Sequence, residues 1–365
     1  MSKKKIRVAI IGTNGIPAMY GGFETLAEYL TKELSNYFKF TVYCSSIYKK
    51  EERLRFHNNS KLKYLPIKAN GLESIFYDTF STIHAFFKSD ILLILGPAAG
   101  FILTLNFFFK KIIITNHGGI NEWERKKFSY LQKKYAYLSH KTAALASHQN
   151  IADNLVMKEK LYKTFNITSN VIEYGGDHVS IEKVDKKLIK KYPFLSQKYT
   201  LSVARAQIDN HLHTLIETYK ELPKKNLVII SNWKFSNYGQ QLLKKNKNLK
   251  NIFLVNAVYN KFDLDVIRSN TELYIHSHSE CGTSPSLVEA MNYNIPIICY
   301  DAKTNREVTE NKTFYFKNNE DLKNLISKLS VKKTLEIKNK MFEIAKRKYT
   351  WRKITNKYAN LLSSF

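Results

Sequence analysis

The sequence predicts an α/β protein made of two doubly wound domains, and three observations carry that prediction. Short, continuous apolar runs recur along the 365 residues, and segments with helical spacing separate them. A polar, lysine-rich stretch, "HVSIEKVDKKLIKK" from His178 to Lys191, divides the runs into two series. Continuous apolar strands alternating with helices imply a parallel sheet covered on both faces, since each strand must be buried on both sides. A chain of this length, 44% hydrophobic, can bury a core in each of two domains.

The first series reads Ile6–Gly12, Phe40–Cys44, Ile91–Leu95, Ile112–Thr115, Thr142–Ala146 and Val171–Tyr174. The second reads Thr200–Ala204, Leu227–Ile230, Ile252–Val255, Leu273–His276 and Ile295–Cys299. The boundary is expected near residues 178–195: a first domain over 1–180, a second over 195–345, and a C-terminal helix over 346–365 packing back on the first. The uncharged run from Ile91 to Phe109 is long enough to be checked as a membrane span. "GPAAG" interrupts it where a strand would hand over to a helix, so it reads as strand, turn and helix. Ligands of such sheets bind outside the carboxyl ends of the strands, so functional residues belong in loops that follow strands.

Lys and Arg total 58 against 31 Asp and Glu, a formal charge of +27 that favours anionic partners such as membranes or phosphorylated small molecules. A lysine-rich composition accounts equally for the number. No nucleic-acid-binding module accompanies the charge, so no nucleic-acid partner is expected. The three cysteines, Cys44, Cys281 and Cys299, form no CxxC pair. They fit a reducing, cytoplasmic setting and argue against a zinc or disulfide scaffold. "MSKKK" runs straight into the first strand, without the apolar core of a signal peptide.

The first candidate motif is "GTNGIPAMYGGFET", Gly12 to Thr25. A dinucleotide fingerprint needs GxGxxG and an acid at the end of the second strand. Here the glycines are Gly12, Gly15, Gly21 and Gly22, and that strand ends in Cys44-Ser45-Ser46. What remains is a loop closing on Gly21-Gly22 at a helix N-terminus, where free N–H groups favour an anion, or else a turn whose glycines serve the backbone only.

The second is "YIHSHSECGTSPSLVEAM", Tyr274 to Met291, a strand, a small-residue loop and a helix opening near Pro285. Amides of Gly282, Thr283, Ser284 and Ser286 can converge on a diphosphate, and Glu289 lies one turn along, placed to accept from sugar hydroxyls. Third, Arg205 in "LSVARAQIDNHLHTLIETY" follows a buried strand and offers a guanidinium fork, with Asp209 or Asn210 as a cap for the next helix. Fourth, His117 in "IIITNHGGINEWERKKF" closes a strand of the first domain and is expected to face the crevice. Asp263-Leu264-Asp265 lies in a segment of helical spacing and reads as helix surface rather than as a metal-binding DxD element, so no metal is expected.

"RVAIIGTNGIPAMYGGFETLAEYL" resembles the N-terminal signature of a bacterial rhamnosyltransferase group, with a DUF1972-type first domain, among the retaining GT-B glycosyltransferases of family 4. "HSHSECGTSPSLVEAM" resembles its donor segment, and "HGGINEWERKKF", "EYGGD" and "ARAQIDNHL" follow in order. The resemblance implies the GT-B fold, two Rossmann-like domains facing each other across a cleft, and metal-independent transfer with no cofactor. The co-substrate would be a nucleotide-diphosphate sugar, dTDP-rhamnose or a UDP-sugar. It implies donor contacts from Gly22, Arg205, Asn210, His278, Gly282, Thr283, Ser284, Ser286 and Glu289. Acceptor contacts would come from Tyr20, Gly21 and Glu24, and His117 and Glu280 would stand at the reacting sugar. Two positions depart from the wider family. Asn210 replaces the usual lysine of the diphosphate site, and Cys281 stands where the first of two glutamates eight apart would be, with Glu280 beside it.

The expected activity is transfer of a hexose, rhamnose foremost, onto a polyprenyl-diphosphate-linked saccharide at the inner membrane surface, during assembly of a surface polysaccharide such as capsule or lipopolysaccharide. A nucleotide-sugar epimerase of the same architecture is the alternative. "SIFYDTFSTIHAFFK" (Ser74–Lys88) and "NFFFKK" (Asn106–Lys111) read either as a surface for an anionic leaflet or as ordinary core helices. Arg205→Ala and Glu289→Ala are expected to abolish transfer without unfolding.

Overall fold

The computed structural model describes residues 5–19, 21–119, 122–124 and 128–365. The chain divides into two compact units, Met1–Glu173 with Trp351–Phe365, and Tyr174–Thr350. The first unit runs β1 (Arg7–Ile11), α1 (Gly22–Leu34), β2 (Lys39–Cys44), β3 (Phe56–His57), β4 (Ser60–Tyr64), α2 (Glu73–Lys88), β5 (Ile91–Leu95), α3 (Asn106–Phe109), β6 (Ile112–Asn116), α4 (Tyr130–Ala146), β7 (Gln149–Ala152), α5 (Leu155–Phe165) and β8 (Asn170–Val171). Its eight strands lie in the order β3-β4-β2-β1-β5-β6-β7-β8, all parallel except the β3–β4 pair. β5, "ILLIL", is buried along its whole length between β1 and β6, as a central parallel strand must be.

One strand expectation fails here. Thr142–Ala146 is the last turn of α4, and the strand is β7, three residues further on. A capping box starts this helix, Gln132 N donating to Ser129 Oγ and Ser129 N to Gln132 Oε1. Its buried face of Ala136, Ser139, His140, Ala143 and Ala144 keeps the helical period, so "TAALA" continues the helix. Among the described residues no helix is long and apolar enough to cross a membrane. Ile91–Phe109 folds as β5, a 3₁₀ turn over Gly100–Leu105, and α3.

The second unit runs α6 (Lys186–Lys191), β9 (Tyr199–Val203), α7 (Leu212–Lys220), β10 (Asn226–Ser231), α8 (Asn237–Asn246), β11 (Ile252–Asn256), α9 (Lys261–Ser269), β12 (Leu273–His276), α10 (Pro285–Asn292), β13 (Ile297–Tyr300), α11 (Lys303–Val308), β14 (Phe314–Phe316), α12 (Asn319–Ser327) and α13 (Val331–Lys348). Its sheet is wholly parallel, ordered β11-β10-β9-β12-β13-β14. The order reverses between β9 and β12, which is where an open sheet of this kind leaves a crevice at its carboxyl edge.

The units divide after Glu173, ahead of the 178–195 boundary that the lysine-rich stretch suggests. Gly176 N donates to the Tyr349 carbonyl at 2.8 Å, and a Cβ on Gly176 would lie 2.5 Å from the Val288 oxygen, so the chain here is already bound into the second unit. The last helix, α14 (Trp351–Ser363), belongs to the first unit. There Trp351 stacks on Tyr29 of α1 at 4.3 Å, and Asn116 Nδ2 donates to Tyr358 Oη at 2.8 Å.

Candidate functional site

The loops that follow β9 and β12 are stitched to each other. Ser277 Oγ donates to the Asn210 carbonyl at 2.6 Å, and Ser279 donates through both N and Oγ to the Asp209 carbonyl at 2.9 and 3.0 Å. Asn210 is buried and gives its amide Nδ2 to the Arg205 carbonyl at 2.8 Å. It is therefore a strut that shapes the Arg205 turn, and Arg205 itself is exposed. The helix cap expected of Asp209 or Asn210 is absent. The residue that precedes α7 is His211, which is in the left-handed region at φ 47° and makes no side-chain cap bond.

Within the second loop His276 is wholly buried, and His278 Nδ1 lies 3.1 Å from its ring nitrogens. Burial holds the His276 pKa well below the ordinary value, so its imidazole is neutral. Asn305 secures the loop from α11, donating to the His278 and Tyr300 carbonyls at 2.9 Å each. Cys281 turns inward, its Sγ 3.4 Å from Asn305 Oδ1, whereas Glu280 is exposed. Gly282, Thr283 and Ser284 are buried and lead into α10, whose first residue is Pro285. Ser284 Oγ and Ser286 Oγ lie 3.2 Å apart, and no side chain caps this helix end.

Glu289, one turn along α10, is an anchored group rather than a solvated one. Its Oε2 is 2.6 Å from Arg268 Nη1 and its Oε1 is 3.2 Å from His178 Nε2. Burial on its own would raise its pKa; the Arg268 guanidinium, with His178, outweighs burial and holds the carboxylate at about 2. Arg268 and His178 were not singled out in the sequence. Arg268 lies on α9, the "NKFDLDVIRSN" segment, which is a helix as expected, but its charged side is turned inward. Asp263 is buried and accepts from Lys191 Nζ at 2.5 Å and Tyr192 Oη at 3.1 Å. Asp265, also buried, is bonded by Lys261 and Tyr293. The helix-surface reading of this segment is therefore corrected. Internal partners let the acids and Arg268 be buried, which periodicity alone does not reveal. Among the described residues, no group of three or more His, Cys, Asp or Glu could hold a metal ion.

In the first unit the opening loop carries its own anions. Glu24 is buried, and its Oε1 accepts from Asn14 N at 2.8 Å and Asn14 Nδ2 at 2.9 Å. One turn later Glu28 accepts from Ala18 N at 3.0 Å and pairs with His57 Nε2 at 2.6 Å. Gly21 has φ 126°, and a Cβ there would lie 1.9 Å from Glu24 Oε2, so the glycine makes room for the carboxylate. Gly22 opens α1. Glu24, expected at the acceptor, has its Oε1 bonded inside the loop. Tyr20 lies outside the described residues.

His117 follows β6 and is buried, with Nε2 2.8 Å from Asn150 Oδ1 and Nδ1 3.2 Å from His140 Nδ1. Asn150 Oδ1 can only accept, so the His117 proton sits on Nε2 and Nδ1 receives from His140. Burial brings the His117 pKa down to about 4 and that of His140 well below the ordinary value. The expected crevice-facing imidazole is therefore a neutral ring bonded into its own unit, because α4 and β7 bring partners to both nitrogens.

Residues 184–348 match the family described as Glycosyl transferases group 1, and residues 5–177 match a Domain of unknown function, DUF1972. No curated protein sequence matches the chain. Among solved structures, Anabaena HepE in complex with UDP and glucose is 14% identical at TM-score 0.76, over 99% of this chain and 100% of that one. Sucrose-phosphate synthase from Thermosynechococcus elongatus is 12% identical at TM-score 0.81, over 99% of each chain. A glycosyltransferase from Rickettsia africae is 14% identical at TM-score 0.72, over 98% of each. At these identities the likeness is one of fold, and that fold is GT-B. With a glycosyl transferases group 1 match over the second unit and this fold in both, the chain is a glycosyltransferase.

Proposed function

We propose that this glycosyltransferase takes a hexose, rhamnose foremost, from a nucleotide-diphosphate sugar and transfers it with retention to a lipid-linked saccharide, in cytoplasmic assembly of a surface polysaccharide at the inner face of the membrane. One observation carries the donor side. The bonds between the β9 and β12 loops join the segment that carries Arg205 to the loop that leads into α10, the helix on which Glu289 is anchored. HepE has been solved with UDP and glucose and with UDP-glucose, which supports a nucleotide sugar as donor. The N-terminal signature supports rhamnose and the lipid-linked acceptor.

In this reading the Arg205 guanidinium and the amides of Gly282, Thr283, Ser284 and Ser286 take up the charge of the leaving diphosphate, with His278 lining the same loop. Glu289, ionised and fixed, accepts from the ribose hydroxyls, and Asn210 keeps Arg205 in place. The bond from the sugar anomeric carbon to phosphate oxygen breaks through an oxocarbenium-like state. The acceptor oxygen bonds to the same face, and its proton passes to the departing phosphate oxygen. Glu280, exposed on the donor loop, approaches the sugar hydroxyls. His117 contributes a neutral, oriented dipole rather than a charge. Gly22 meets the donor, Tyr20 and Gly21 the acceptor, and Glu24 clamps their loop.

A thermal-shift panel of UDP, dTDP, GDP and their sugar conjugates tests the donor site, since a ligand of the native state raises its melting temperature. If none shifts melting, the donor assignment is wrong. Incubation with donor alone separates transferase from epimerase: an epimerised sugar nucleotide formed without acceptor would overturn transfer. NMR of the product's anomeric configuration checks retention.

A further inference from the structure

We infer that the first unit lies on an anionic bilayer through one continuous face, formed by α2, the 3₁₀ turn with α3, and α4. The inference deepens the reading of a lipid-linked acceptor by naming the surface that meets the lipid. A surface helix ordinarily turns its apolar stripe inward. α2 does so only in part, burying Tyr77, Ala85 and Phe86. Its buried side includes Asp78, Ser81 and Thr82, whereas Phe76, Phe80 and Phe87, spaced four and seven residues apart, are 61%, 53% and 65% exposed.

α3 extends this stripe. Phe109 stacks on Phe86 with ring centres 4.6 Å apart and meets Phe87 edge-on at 4.9 Å, fixing α3 against α2. The neighbouring Phe107 and Phe108 stand 81% and 76% exposed. Phe86 of α2, Leu103 of the 3₁₀ turn and Ala143 of α4 belong to a single core cluster, so these segments cover the same side of the sheet. Leu131, Leu138 and Leu145 of α4 are exposed as well. Monomeric proteins rarely leave apolar patches of such extent to water.

The charge around the patch favours lipid over a neutral partner. From Ser60 to Lys111 there are six lysines and three acids. Of the acids, Asp78 is buried and Asp90 is held by Arg7. Lys61, Lys63 and Lys88 lie close enough to His84 on α2 to add to burial in lowering its pKa, and Lys110-Lys111 follow α3 directly. Aromatic side chains that enter the interfacial layer, ringed by lysines that meet acidic headgroups, are the chemistry of a protein that lies on a membrane.

Co-sedimentation of the full chain with phosphatidylglycerol-containing and with pure phosphatidylcholine vesicles tests this. Binding should be at least about tenfold stronger to the anionic vesicles and should weaken with salt. The variant Phe76→Ser/Phe80→Ser/Phe107→Ser/Phe108→Ser should lose that binding about tenfold or more, and Lys88→Gln/Lys110→Gln/Lys111→Gln should lose the anionic preference. These side chains are exposed, apart from the half-buried Lys111, so melting temperature and nucleotide shift should stay unchanged, as should transfer to a water-soluble acceptor analogue. Transfer to a vesicle-embedded acceptor should fall. Failure of the full chain to bind any vesicle overturns the inference. So does a dimer that the Phe variant converts to monomer while vesicle binding stays absent, since the face would then join two copies. Vesicle binding by a chain that responds to no nucleotide would leave this face standing and remove the donor site instead.

Discussion

Two loops lead from a strand into a helix past glycine, one in each unit, and they behave differently. In the first, Glu24 and Glu28 of the following helix reach back and take the amides of Asn14 and Ala18. The loop is thereby rigid and already supplied with negative charge. In the second, Glu280 is exposed, Cys281 turns toward Asn305, and Glu289 of the following helix is drawn aside by Arg268 and His178. Glycine content makes the first loop look the better phosphate cradle. The position of the acids argues the other way, because a helix N-terminus attracts an anion and Glu24 already places a negative charge in the first turn of α1.

The largest expected effect is at Glu289. Removing it leaves the Arg268 charge buried without its partner, so Glu289→Ala should destabilise by about 3–5 kcal/mol as well as abolish nucleotide binding. The expectation from sequence of a loss without unfolding thus holds better for Glu289→Gln, and a melting curve compares the two. Arg205→Ala, at an exposed position, should leave melting unchanged and lower turnover by about 10²–10³-fold. Near-normal turnover would take Arg205 out of the donor site.

Acid should weaken the fold through its buried histidines. The folded His117 pKa of about 4 lies below the ordinary 6.5, so the unfolded chain takes up the proton first. Stability present above about pH 6.5 should therefore fall as the pH drops toward 4, by about 3 kcal/mol from this residue, with His140 and His276 acting in the same direction. Glu289 adds its loss later, as the pH falls from about 4.5 toward 2. Denaturant unfolding across this range, with His117→Asn as control, measures the slope. The smallest effect is at Glu24→Gln. It should cost about 1–3 kcal/mol by weakening the bonds to Asn14, with nucleotide affinity unchanged. A tenfold change in that affinity would make the first loop a donor contact and break the comparison drawn here.

The alternation of apolar runs with helical spacing was enough for two parallel-sheet units, because strands buried on both sides cannot be polar. The β7 position was missed because "TAALA" suits a helix and a buried strand equally, and only the capping box and the buried face of α4 distinguish them. β3 and β14, two and three residues long, are too short to show a period, and β4 has only Leu62 and Tyr64 as apolar residues.

By itself the sequence determined the fold class, the residues at the carboxyl ends of the strands, and the resemblance that names a chemistry. These depend on local pattern and on order along the chain. Only the tertiary structure decided which of those residues face inward. Asn210, Glu24 and His117 are each paired with groups 5 to 33 positions away, and Glu289 with groups 21 and 111 positions away. Whether a polar side chain is left to a ligand depends on which partners the folded chain brings within hydrogen-bonding distance, and partners so far apart in sequence leave no local trace.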